Sequence, residues 1–170
     1  MSKDEVWTKF ELTLDETAAN ADAIINCLTA PYIDDSGLQK IYMYSFAGAT
    51  LAYDQTVLDN LVTRAAGSST TYLAVRKMNA LPSSPKQSMV DFAKSMINNS
   101  MFLSQILVDD NTLNSDQTKD LLTTITAASC VYALDYLDIS DANFDSDETC
   151  TELANLLNKA NDLYNLIISD

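Results

Sequence analysis

The sequence predicts an all-α fold, a single-domain bundle of about six helices. Three observations predict it. The 170 residues include only three glycines (Gly37, Gly48, Gly67) and three prolines (Pro31, Pro82, Pro85). That is few for a sheet protein, whose hairpin turns call for positive φ. Apolar residues recur at helical spacing in segment after segment. Most segments open on a capping signal, and several close on glycine or proline.

The first predicted helix covers 14–29, with Thr13 and Glu16 as a capping box and Pro31 as its stop. Leu14, Ala18, Ala21, Ile25 and Leu28 form its apolar line. The second covers 37–66, capped by Asp34, Asp35 or Ser36 and closed by Gly67. The third covers 69–81 and ends at Pro82. The fourth has the clearest start, Ser84-Pro85-Lys86-Gln87: an N-cap serine, an N1 proline and an N3 glutamine. Met89, Phe92, Ala93, Met96, Leu103 and Leu107 supply its face. The fifth begins after Asn114, with Gln117 at N3, and carries Leu121, Ile125, Ala128, Tyr132 and Tyr136. The sixth begins after Asp145, with Glu148 at N3, and carries Leu153, Leu157, Ala160, Tyr164 and Ile167. Each has one apolar stripe, as helices packed on neighbours require. At a common offset Ala49–Tyr53 resembles Ala128–Tyr132, and Leu58-Asp59 falls opposite Leu137-Asp138. This suggests two three-helix halves, 13–82 and 84–170.

Composition excludes much chemistry. The chain has no histidine, which removes most acid–base schemes, catalytic triads and zinc or di-iron sites. No Gly-rich phosphate loop is present. The expectation is a protein that is not an enzyme and needs no cofactor. A formal net charge of −14 repels phosphate backbones and anionic lipids, so neither nucleic acid nor membrane is an expected partner. The start, Met1-Ser2-Lys3-Asp4-Glu5, is unlike a secretory signal, and no apolar run is long enough to span a bilayer. With Cys27, Cys130 and Cys150 read as reduced thiols, the expected setting is cytoplasmic.

The most pointed feature is residues 109–152, where eleven acids face one base, Lys119. Asp109, Asp110, Asp116, Asp120, Asp135, Asp138, Asp141, Asp145 and Asp147 are the candidate partner-binding residues. They are expected on the polar face of the fifth helix and on the loops at its two ends, and such charge on a rigid scaffold steers a basic protein surface into contact, including that of a nuclease or other nucleic-acid-binding protein. The competing explanation is a solvated face, with first-turn acids placed to complement helix dipoles. Within this stretch Asp141–Glu152 resembles a calcium loop, with oxygen side chains at positions 1, 3, 5, 7, 9 and 12. Ser146 at position 6 and Glu148 at position 8 depart from that pattern.

The function expected is therefore a non-catalytic acidic protein that occludes a basic surface of a partner. Inhibitors, immunity proteins, DNA mimics and viral anti-defence proteins are of this physical type, an analogy of charge and size alone. An oligomeric structural subunit or assembly chaperone is the alternative, using Tyr and Met faces. A calcium-binding bundle is the third.

Overall fold

The computed structural model shows a mixed α/β chain and overturns the six-helix bundle and its two three-helix halves. It describes residues 10–14, 38–44, 59, 62, 63, 70–76 and 83–169, with side chains except in 10–14, 38–44 and 83–89. Six strands form one parallel sheet in chain order: β1 (Phe10–Leu14), β2 (Leu38–Tyr44), β3 (Tyr72–Arg76), β4 (Gln105–Leu107), β5 (Tyr136–Asp138) and β6 (Asn165–Ile167). Between the later strands run α1 (Ser83–Asn99), α2 (Ser115–Ala127), a 3₁₀ turn (Ser129–Ala133) and α3 (Asp147–Lys159). Helix α1 packs on α2, and α2 on α3. Adding each strand beside the last through crossovers of one hand puts these helices on one face of the sheet. The result is a short solenoid of stacked strand–helix units.

The repeat is visible once the register is known. Tyr72, Gln105, Tyr136 and Asn165 pair in one row, at intervals of 33, 31 and 29 residues. The best-formed unit reads Leu103-x-x-Ile106-x-Val108-x-x-Asn111-x-Leu113, a spacing similar to that of leucine-rich repeats. Leu134, Leu137 and Ile139 repeat its first half, with Ala142 in place of the asparagine. Leu163, Leu166 and Ile168 repeat it again. The core is made by these inward positions: Leu73, Val75, Ile106, Val108, Leu137 and Ile139 lie against Met96, Ile97, Leu122 and Ile125 from the helices. Each fully buried Leu or Ile there stabilises the fold by about 1.5–3 kcal/mol.

Polar links tie unit to unit. Asn111 is buried, and its Nδ2 donates to Val75 O at 2.5 Å and to Val108 O at 2.7 Å. At the helix starts, Ser115 Oγ lies 2.9 Å from both Ser146 Oγ and Thr149 Oγ1. On the helical side Lys94 pairs with Asp120, and Lys119 with Glu148. Lys159 Nζ donates to Thr126 O at 2.6 Å and sits 5.5 Å from the centre of the Tyr132 ring.

The helix assignments divide sharply. The fifth start is right: Asn114 Oδ1 accepts from Gln117 N and Gln117 Oε1 accepts from Asn114 N, a closed capping box. The sixth start is one residue off, with Ser146 as N-cap. The ends are wrong. Leu103 and Leu107 lie beyond α1, Tyr136 is in β5, and Ile167 is in β6. The segment assigned to the third helix contains β3, and 38–44 of the second is β2. Of the first helix, Leu14 closes β1 and the rest lies outside the described residues. Two physical causes account for this. Parallel strands joined by helical crossovers need no hairpin glycines. The turns that need positive φ use Asp110 (57°), Thr112 (44°) and Asp141 (60°) instead.

Candidate partner-binding surface

Strand side chains alternate, so the sheet has a second face, turned away from the helices. Its rows follow from the register. Tyr72, Gln105, Tyr136 and Asn165 form one, and Ala74, Leu107, Asp138 and Ile167 the next. Ala74 and Leu107 are buried yet stand outside the main core cluster, as residues of the opposite face should. Lys40 and Tyr42 of β2 are in backbone register with Tyr72 and Ala74.

At the ends of these strands sits a polar cluster. Arg76 Nε donates to Asp109 Oδ2 at 2.7 Å, and its Nη2 contacts the same oxygen. Asp109 is buried; among the described residues its Oδ1 has no hydrogen-bond partner. Next to it, Asp138 Oδ1 accepts from Ser140 Oγ at 2.7 Å and from Ser140 N at 3.2 Å. Burial raises the Tyr136 phenol above its ordinary value. The Asp138 and Asp109 carboxylates push it the same way, and the Arg76 charge opposes them. The four side chains therefore share one electrostatic neighbourhood. The cluster holds an acid–cation pair, a phenol and a hydroxyl, suited to hydrogen bonding and packing against a partner.

The nine predicted binding acids do not form one helix face. Asp109 and Asp138 are buried on the sheet face. Asp110 and Asp141 occupy the left-handed positions just after β4 and β5. Asp116 and Asp147 lie in the first turns of α2 and α3, and Asp145 in the turn before α3. Strand ends and helix starts share one edge of a parallel α/β solenoid, so these seven are brought to that edge. Asp120 lies further along α2 and faces Lys94. Asp135 precedes β5 at the opposite edge, its Oδ1 buried and without a hydrogen-bond partner among the described residues.

The calcium-loop resemblance is not built as a loop. Its last six positions are the first turns of α3, and Asn143 and Asp145 bond each other in a tight local turn. Among the described residues, no three Cys, Asp or Glu side chains gather closely enough to hold a metal ion. Also among them, no helix is long and apolar enough to cross a membrane.

Sequence reasoning missed Arg76, Tyr72, Gln105 and Asn165, and placed Tyr136 on a helix. A signal for the strands was present. Leu134-x-x-Leu137-x-Ile139-Ser140-Asp141 recurs as Leu163-x-x-Leu166-x-Ile168-Ser169-Asp170, and Ser115-Asp116-Gln117-Thr118 as Ser146-Asp147-Glu148-Thr149.

Fold and face together define a parallel α/β solenoid with helices on one side and an ordered polar–aromatic face on the other. No protein-family model matches the chain, and no curated protein shows significant similarity to it.

Proposed function

We propose that the chain is a non-catalytic binding module that docks on a basic protein surface in the cytoplasm. One observation carries this: the half-buried row Tyr72, Gln105 and Tyr136 lies on the same strands, β3–β5, whose C-terminal ends lead into the acid edge. Solenoids of this kind use the strand face as an extended binding surface. Here the half-buried Tyr72, Gln105 and Tyr136 offer contact area and hydrogen bonds. Asp110, Asp116, Asp141, Asp145 and Asp147 supply the steering charge. Asp109 and Asp138 are too buried for long-range steering, and Asp120 is offset by Lys94. The free thiols of Cys130 and Cys150 suit a reducing compartment.

The test uses the tagged full chain for capture from lysate at stepped salt. A second chain neutralises the edge by Asp110→Asn, Asp116→Asn, Asp141→Asn, Asp145→Asn and Asp147→Asn. Asparagine tolerates the left-handed backbone at 110 and 141. A basic partner held by the parent, released by salt, and bound at least about tenfold more weakly by the neutralised chain is the expected result. Equal binding by both chains at every salt step would overturn the role of the edge.

A further inference from the structure

Two acids are buried on the sheet face, and they are not alike. Asp109 holds Arg76. Asp138, 9% accessible, forms no ion pair among the described residues. Its neighbours are neutral. Leu107 of β4 and Ile167 of β6 stand in register on either side of it. Tyr136 precedes it on the same face by two residues, about 7 Å, and Ser140 follows it. A carboxylate so placed costs free energy until a cation or donors meet it.

The two oxygens of Asp138 differ. Oδ1 accepts from Ser140 Oγ at 2.7 Å and from Ser140 N at 3.2 Å. Oδ2 accepts from none of the described residues, and it is not sealed from solvent. Ser140 therefore fixes the carboxylate and leaves one oxygen open.

This arrangement narrows the chemistry of a ligand. The open group is an anion, so the ligand is a cation. A metal ion needs several ligands, and among the described residues no three Cys, Asp or Glu side chains gather to supply them. A guanidinium binds best as a fork on two carboxylate oxygens, whereas one free oxygen suits the point charge of an ammonium. Ile167, 38% accessible, offers apolar surface for a methylene stem. Tyr136, half-buried, places a ring near a cation held there.

Given a basic protein partner, as proposed for this face, we infer that Asp138 receives one lysine side chain of that partner, with its ammonium on Oδ2 and its stem along Ile167. The edge acids draw the basic surface in. Asp138 is too buried to steer and selects the residue that seats.

The test titrates the isotope-labelled full chain with n-butylammonium, which copies the end of a lysine side chain, and follows the amide resonances at constant ionic strength. Saturable shifts centred on Tyr136, Asp138, Ser140 and Ile167 are expected. Asp138→Asn keeps an oxygen for Ser140 and should bind at least about tenfold more weakly, because the charge-assisted bond is lost. Shifts that never saturate and spread along the acid edge overturn the inference, as does equal binding by the folded variant. If the variant does not fold, the shift map of the parent decides between the same two outcomes. Tighter binding of n-butylguanidinium overturns the assignment to lysine. Capture of a basic partner by a chain whose Asp138 takes no n-butylammonium overturns this inference and leaves the docking reading standing. Saturation at Asp138 with no partner captured supports the site and counts against that reading.

Discussion

Asn111 Nδ2 lies 2.5 Å from the main-chain oxygen of Val75, tying the turn after β4 to the strand before it. The same amide serves Val108 O at 2.7 Å. One buried side chain thus satisfies acceptors on two successive units, where the left-handed turn has pulled the backbone out of the ladder. Asn111→Ala removes the donor from both carbonyls and leaves a small void. The expected loss is about 2–4 kcal/mol, seen as a lower urea midpoint at unchanged slope. A change within experimental error would show that these carbonyls find other partners.

Arg76 and Asp109 form the cross-strand pair on the opposite face. Arg76 keeps 29% of its side chain accessible and Asp109 only 7%. The two partners are therefore unequal. Arg76→Met leaves a carboxylate buried with one oxygen already unpartnered, and should cost about 3 kcal/mol. Asp109→Asn leaves a half-exposed cation that water can reach, so its cost should be smaller. The double variant Arg76→Met/Asp109→Leu should recover much of the loss, because it removes the stranded charge. Thermal and urea unfolding of the three variants give the order. A costlier Asp109→Asn would reverse this account.

What was legible in the sequence was local. Asn114 and Gln117 announce the start of α2 because capping depends on side chains three residues apart. The low glycine count pointed the wrong way, because Asp110, Thr112 and Asp141 carry the turns. Three-residue strands such as Gln105–Leu107 are too short to show alternation, and apolar residues in and beside them extend a neighbouring helical stripe by chance. Leu103 and Leu107 were placed on a helix for that reason. The acids between 109 and 147 were found as a run, but their division between sheet face, edge and α2 depends on a register that no local pattern encodes.

Cys130 gives a pH dependence with a definite sign. It is fully buried, and burial pushes its thiol from 9.0 up to about 11. The unfolded chain ionises first. Its contribution to stability is therefore present in full below pH 9 and falls away as the pH rises towards 11. Between neutral pH and about pH 10.5 the parent should lose more unfolding free energy than Cys130→Ala, which has no thiol to ionise. In a Cys27→Ser background, the exposed Cys150 should react with a thiol reagent in the native state, and Cys130 only after unfolding. Parallel pH profiles for parent and Cys130→Ala would remove burial as the cause.

Lys119 and Glu148 test the link between α2 and α3. The hydrogen bond and charge of Lys119 hold Glu148 below the ordinary glutamate value, and Glu148 raises Lys119 in return. Both are exposed, so salt should screen the coupling. The Glu148 contribution is present above its unfolded pKa and lost as pH falls through its lowered folded value. A double-mutant cycle with Lys119→Gln and Glu148→Gln should show favourable coupling at neutral pH in low salt. The coupling should shrink in high salt and at strongly acidic pH. Coupling unchanged by either would point to packing between the two helices in place of charge.

The turn after β4 carries two non-glycine residues at positive φ, Asp110 at 57° and Thr112 at 44°. Aspartate tolerates this region; a β-branched threonine does not. Thr112 is exposed, so its strain can be relieved without opening the core. Thr112→Gly or Thr112→Asn should raise stability by about 0.5–1.5 kcal/mol, with asparagine the better choice because it costs less unfolded-state entropy. Asp110→Val and Asp141→Val impose the opposite test at equivalent positions of two units. Each should lower stability by about 1–2 kcal/mol. Equal losses at the two sites would show that each turn bears its strain locally. A larger loss at Asp110 would show that strain there propagates to the buried Asn111 beside it, which has no counterpart at Ala142.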